Sequence, residues 1–185
     1  MLFRGRIFHD EAGSAMVKRA LVVMMVVIGL LLVSGCVPLA GPNVDCLNPG
    51  PRRDLHGCDW NGQDLSGVDL SGSNLANVRL ITADLTGANL SGANLTSAAM
   101  MGATLVDTNF QGSLLIGSNA TGADATGARF NQVIFGLAQW QYVDFTDADF
   151  TGAFMSDLLT EGSTWSNTRC QLGNLTTGTP CPVAF

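Results

Sequence analysis

Large apolar residues recur at every fifth position over most of this chain. From Arg53 to Thr177 the sequence divides into 25 five-residue units without an insertion. The central position, from Leu55 to Leu175, holds Leu 11 times, Phe five times, Trp three times, and Met and Ala twice each, with Cys170 and the polar Thr160 completing it. Two positions earlier a small residue stands in 22 of the 25 units, the exceptions being Arg53, Gln63 and Leu158. Two positions later Gly stands 13 times, as suits a corner that needs φ > 0. A spacing of five fits neither regular element. Along a helix it rotates an apolar site by about 140° per step, and along a straight strand it throws successive sites to opposite faces. The pattern can be buried if the chain bends once per unit, always in the same sense, so that every central residue meets one axis. That predicts stacked coils of short strands and corners, a solenoid rather than a layered domain.

The units ADLTG (83–87), ANLSG (88–92) and ADFTG (148–152) match the signature A(D/N)LXX, and in this the chain closely resembles the pentapeptide-repeat family. The resemblance covers about two thirds of the chain and implies an all-β fold, a right-handed quadrilateral parallel β-helix with four units per coil. About six coils would then make a rod roughly 30 Å long, with residues 20 apart stacked. Phe110, Phe130 and Phe150 obey that interval, as do the atypical outward residues Leu114, Ile134 and Phe154. Ala120 and Ala125 leave two consecutive central positions undersized, which predicts an underpacked coil. Gln132, Leu137 and Tyr142 replace Gly at three successive corners, so the middle of the rod is expected to be its least regular part.

The first fifty residues carry a different signal. ALVVMMVVIGLLLV (20–33) is an apolar run of 14 that follows Lys18 and Arg19, short for a membrane span and suited to the core of a signal peptide. It leads into Val33-Ser34-Gly35-Cys36, which looks like a bacterial lipobox. That resemblance implies cleavage after Gly35 and acylation of Cys36, palmitate being one such chain. An ordinary secretory signal and an uncleaved anchor are the alternatives. Met16-Val17-Lys18-Arg19 makes a better start than the acidic stretch around Asp10 and Glu11, so the true initiator is expected at Met16. The expected organisation is a signal peptide (1–35), a lipid-anchored tether and N-terminal cap (36–52), the β-helix (53–177) and a C-terminal tail (178–185).

Beyond Cys36 four cysteines remain: Cys46, Cys58, Cys170 and Cys181. An even number in an exported protein reads as disulfides, with three connectivities open; proximity favours Cys46–Cys58 and Cys170–Cys181, one at each end of the rod. Two buried thiols are the alternative, since Cys58 and Cys170 fall in inward positions. Zinc is disfavoured, because there is no CxxC pair and His56 is the single histidine after Cys36.

Catalytic chemistry finds little purchase. HExxH, GxSxG and P-loop patterns are absent, and His56 falls in an outward position of the first coil. Asp recurs because the repeat places it before the central residue. The expectation is a protein without enzymatic activity, cofactor or metal. From Cys36 onward there are 13 acidic and five basic residues, a net of −8, and no lysine. Some members of the family resemble an acidic rod of DNA and bind type II topoisomerases, which makes DNA mimicry one functional alternative. It requires a cytoplasmic protein, and the export signal favours the other: a cell-surface structural or interaction module outside the cytoplasm, tethered to the membrane through Cys36 and with no nucleic-acid partner. Two surface features follow from assigning units to faces. One face carries Asp64, Asp84, Asp107, Asp124, Asp144 and Asp147, an acidic stripe to be screened by cations or met by a basic partner. Another reads Asp54, Asn74, Asn94, Leu114, Ile134, Phe154, widened by Ile116 and Leu137, with Tyr142 and Leu159 on the next face. That apolar stripe is expected to serve a homodimer or another protein partner, unless the tail from Gly178 to Phe185 covers it.

Overall fold

The computed structural model describes residues 44–170, 175–177 and 181. The signal-peptide segment, Cys36 and most of the C-terminal tail lie outside these residues. From Asp54↔Asn74 to Asp149↔Arg169 every fifth residue forms a parallel bridge to the residue 20 positions on. Each coil therefore takes four units, and the fold is the right-handed quadrilateral parallel β-helix. Within a unit the bonding repeats: the Leu55 N–H donates to the Asn74 carbonyl at 2.8 Å, and the Gly57 N–H to that of Ala76 at 2.9 Å.

The corners explain the glycines. The third residue of every turn has φ > 0 from Arg52 to Asn167, as thirteen glycines and eleven other residues. The turn closes when the N–H three residues after the central position reaches back to its carbonyl, as Ala88 does to Leu85 at 2.9 Å. Glycine takes this conformation without steric cost, and Asn and Asp tolerate it better than a β-branched residue such as Thr82 does. Gln132, Leu137 and Tyr142, expected to loosen the middle of the rod, keep φ of 58°, 54° and 58°, but the corner at Gly136–Leu137 opens from a turn into a bend, and at the Tyr142 corner the Val143 N–H donates to Ser163 Oγ at 3.0 Å instead of closing the turn. The bridges run through this region without a break.

The interior is filled by the central and small positions. Apart from Trp60, the central positions of its first half, from Leu55 to Leu105, are aliphatic, and those of its second half are mostly aromatic. Phe110, Phe130 and Phe150 stack at centroid distances of 5.1 and 4.7 Å. Ala120 and Ala125 are wholly buried, and the expected underpacking is offset by Trp140 from the next coil. Its indole meets Phe110 edge-on at 6.3 Å, and its Nε1 donates to Ser118 Oγ at 3.0 Å. A small residue in one coil makes room for a large one above it. The unit at 158–162 exchanges roles in a similar way: Leu158, in a small position, packs against the core while the central Thr160 is only half-buried.

Both ends are closed by chain outside the regular coils. At the N-terminal end Val44 and Cys46 pack against the core, a disulfide joins Cys46 to Cys58, and Trp60 Nε1 donates to the Cys46 carbonyl at 2.9 Å. At the other end the parallel ladder stops at Arg169. The twenty-fifth unit, expected to continue it, folds back instead: β1 (Ser166–Arg169) pairs antiparallel with β2 (Leu175–Thr177), and Cys170 is disulfide-bonded to the buried Cys181. A last coil has no neighbour above it, so its open edge and core must be capped, and a short hairpin meets that need.

Candidate functional site

Two opposite sides of the square rod differ sharply in chemistry, because units two apart in sequence face opposite ways. On the first side the residue before the central position reads Asp54, Asn74, Asn94 and then Leu114, Ile134, Phe154, each bridged to the next. The first three form a polar ladder: Asn74 Nδ2 donates to Asp54 Oδ1 at 2.9 Å, and Asn94 Nδ2 to Asn74 Oδ1 at 3.2 Å. From Leu114 onward the ladder turns apolar.

The structure brings the predicted apolar residues together and shows most of them to solvent. Leu114 is half-buried, Ile116 38% exposed, Ile134 40%, Leu137 69% and Phe154 67%. Ile116 lies directly under Gly136, where an added Cβ would sit 3.4 Å from its Cγ2. Around the corner formed by Leu137 the surface continues onto the next side through Tyr142, 65% exposed, and Leu159, 51%. The Tyr142 ring lies across the backbone of Gly162, so close that a side chain there would collide with it. The result is a contiguous apolar patch that wraps one edge of the rod at its C-terminal half. Of the tail named above as an alternative cover (178–185), all but Cys181 lies outside the described residues.

The acidic residues occupy the opposite side, where Asp64 and Asp84 are bridged neighbours, as are Asp124 and Asp144. Thr104 stands between the two pairs and Thr164 ends the column. Each of these four carboxylates has work within its own turn. The Asp84 Oδ1 accepts from the Thr86 N–H at 2.9 Å and from its hydroxyl at 2.6 Å; Ser66, Thr126 and Thr146 serve Asp64, Asp124 and Asp144 alike. Asp or Asn before the central residue thus satisfies the N–H two residues on, which is why the repeat prefers them. Asp107 and Asp147 sit at exposed corners; Asp107 lies against Gly127, and Asp147 accepts a hydrogen bond from Asn167. Among the described residues no cluster of His, Cys, Asp or Glu is arranged to hold a metal ion. His56 Nδ1 is 2.8 Å from Asp54 Oδ1 on the exposed first coil.

The turn bonds also set a pH dependence. Hydrogen bonds from Ser66, hydroxyl first and then N–H, hold the Asp64 carboxyl below its ordinary range, and the Ser71 N–H and hydroxyl do so for Asp69. His56 lowers Asp54. For Asp149 partial burial pushes the carboxyl up, but bonds from Thr151 and Asn131 and the charge of Arg169 more than offset it. A carboxyl lowered on folding stabilises the fold above its unfolded value, near 3.9, and loses that contribution as pH falls through the lower folded value. The thermal midpoint is therefore expected to drop as pH falls below about 4, and the Asp64→Asn variant, which keeps the acceptor but cannot ionise, should drop less steeply. Circular dichroism melts at pH 3 and 5 check this; identical slopes for the two proteins would count against it.

Comparison with known proteins agrees with the repeat. A family model described as pentapeptide repeats matches in 8 copies, over residues 54–87, 64–100 and 100–136. No curated protein matches the chain. Among solved structures the chain is similar to trypsin-treated QnrB1, a plasmid-mediated fluoroquinolone resistance protein, at 16% identity and a TM-score of 0.35, covering 66% of this chain and 69% of that one. A pentapeptide repeat protein from the thylakoid lumen of Arabidopsis thaliana gives 21% identity and a TM-score of 0.25, covering 70% and 72%. A third, from the cyanobacterium Cyanothece 51142, gives 21% and 0.27, covering 62% and 92%.

Proposed function

We propose that the protein is a pentapeptide-repeat protein, as the family model matching residues 54–87, 64–100 and 100–136 supports, and a non-catalytic interaction module of the bacterial cell envelope. It is exported, anchored by acyl chains on Cys36, and engages a protein through the apolar edge of its C-terminal coils. The observation that carries this reading is the exposure of Ile134, Leu137 and Phe154 in one patch. Single surface leucines are ordinary, but a contiguous patch on a rigid sheet is characteristic of an interaction surface. Support for the location comes from the apolar run at 20–33, the Val33–Cys36 motif and the two disulfides, which belong to an oxidising compartment. The acidic side is the weaker foundation, since four of its carboxylates are already used in their own turns.

The full chain expressed in a bacterial host should be recovered in the membrane fraction, with a mature N-terminus at acylated Cys36. More than one acyl chain is needed for stable anchoring. Because the chain after Cys36 has no lysine, partner capture calls for a photoreactive residue in place of Leu137 rather than amine chemistry. Adding Ile134→Asn and Phe154→Asn should leave the circular dichroism unchanged and reduce the captured species by about tenfold, as loss of central apolar contacts does. An unmodified Cys36 would overturn the anchor; undiminished capture would overturn the interface.

A further inference from the structure

We infer that the occupant of the apolar edge is a second copy of this chain, packed antiparallel about a two-fold axis through Ile134. This rests on the interaction surface and the anchor proposed above, and it names the partner. The charge distribution is the first argument. The chain from Cys36 carries a net of −8, so two copies repel over most of their surface. On the apolar side Leu114, Ile116, Ile134, Gly136 and Leu137 carry no charge, and the one acid of these three coils on that side, Asp157, sits at its corner beyond Leu137. The stripe with Asp64, Asp84, Asp124 and Asp144 faces the opposite way, so apolar contact points both stripes outward, as far apart as the rods allow. A basic partner, by contrast, would find its complement on the acidic side.

The ladder itself supplies the register. In a two-fold interface residue i meets j while j meets i. Centring the axis on Ile134 places the half-buried Leu114 of one copy against the protruding Phe154 of the other, twice, with Ile134 against Ile134. Of the polar ladder, Asp54 and Asn74 then extend past the end of the partner's coils, and Asn94 comes level with the partner's C-terminal cap. A parallel arrangement would instead set Asp54 against Asp54 and bury the asparagine ladder. Three coils span only about 14 Å of rod, far less than the roughly 800 Å² per partner of a standard interface requires. The pairing is therefore weak in free solution and depends on the confinement of two anchored copies to one membrane, which raises their effective concentration.

Cysteine cross-linking of the full chain in host membranes tests this. Ile134→Cys should give a disulfide-linked species of twice the mass, about tenfold or more above Asp124→Cys on the opposite side. Leu114→Cys and Phe154→Cys should cross-link to each other when co-expressed and not when expressed alone. Differently tagged wild-type copies should co-purify from membranes, and copies carrying Ile134→Asn and Phe154→Asn should not; this check needs no added cysteine and requires only an unchanged circular dichroism spectrum. Cross-linking at Ile134→Cys no greater than at Asp124→Cys would overturn the proposal, as would self-linking of Leu114→Cys alone. A heavier species of another mass in its place would mean a foreign protein, leaving the interaction surface standing. An Ile134→Cys variant that forms no dimer, yet whose new thiol is shielded from a water-soluble maleimide, would mean contact with lipid. Free labelling of that thiol would remove the interaction surface altogether.

Discussion

Replacing Phe130 with Ala should cost about 3–5 kcal/mol, the range for deleting a fully buried aromatic ring. For a chain of this size that lowers the thermal midpoint by roughly 6–20 °C. Phe130 is wholly buried and sits at the centre of the aromatic half of the core. It stacks on Phe110 at 5.1 Å and Phe150 at 4.7 Å, and meets Phe135, Trp140 and Phe145 at 5.5, 5.4 and 6.0 Å. Backbone ladders on all four sides hold the coil at a fixed diameter, so the walls cannot collapse into the space left behind. In a solenoid each coil is supported only by its neighbours, and the loss falls on the two interfaces that Phe130 spans. Ile134→Ala, one unit away but on the surface, should change stability by less than about 0.5 kcal/mol. Equilibrium urea unfolding of both variants measures the contrast. A loss below about 1 kcal/mol for Phe130→Ala would mean that the ring stack is not what holds these coils together.

The inward half of this design was legible in the sequence, because a period of five with large and small residues in fixed positions admits few ways to be buried. The 20-residue stacking came with the family resemblance, and the spacing of Phe110, Phe130 and Phe150 supported it. What escaped that reading depends on volume and on ends. Ala120 looks like a void when its own coil is considered, and only the position of Trp140 in the coil above shows that it is a recess. Leu175 keeps the phase of the repeat yet belongs to β2, since phase does not reveal where a solenoid must stop and cap itself. The outward positions were legible for another reason. Leu114, Ile134 and Phe154 stand out because the same column otherwise holds Asp and Asn, which serve the turns. The aspartates of the opposite side read as a charged stripe, but their hydrogen bonds to Ser66, Thr86, Thr126 and Thr146 show turn chemistry, a role visible only with the donor two residues on in place.

Removing the N-terminal disulfide should unravel the rod from that end and leave the other coils folded. Cys46 and Cys58 are 12 residues apart, and closing a loop of that size is worth about 3 kcal/mol in the chain-entropy model. The bond does more than shorten the unfolded chain. Cys58 is an inward residue of the first coil, and its partner brings the chain from Val44 across the open end of the core, where Trp60 donates to the Cys46 carbonyl. Just beyond, Ser73 Oγ donates to the Gly50 carbonyl at 2.9 Å and accepts from the Arg53 N–H at 3.1 Å, tying the same segment to the second coil. With Cys46 and Cys58 both changed to Ala, the cap is held by these bonds, the Arg52 N–H to the Ser71 carbonyl at 2.8 Å and the packing of Val44. Leu55 and Trp60, now almost wholly buried, would face water whenever it opens. The thermal midpoint should fall by roughly 6–12 °C. Hydrogen exchange should accelerate over residues 50–62 while the amides around Phe130 keep their protection, because a one-dimensional stack loses its end before its middle. Acceleration spread evenly along all coils would mean that the rod melts as a single unit, and that the disulfide acts on the unfolded chain alone rather than as a clasp on its first coil.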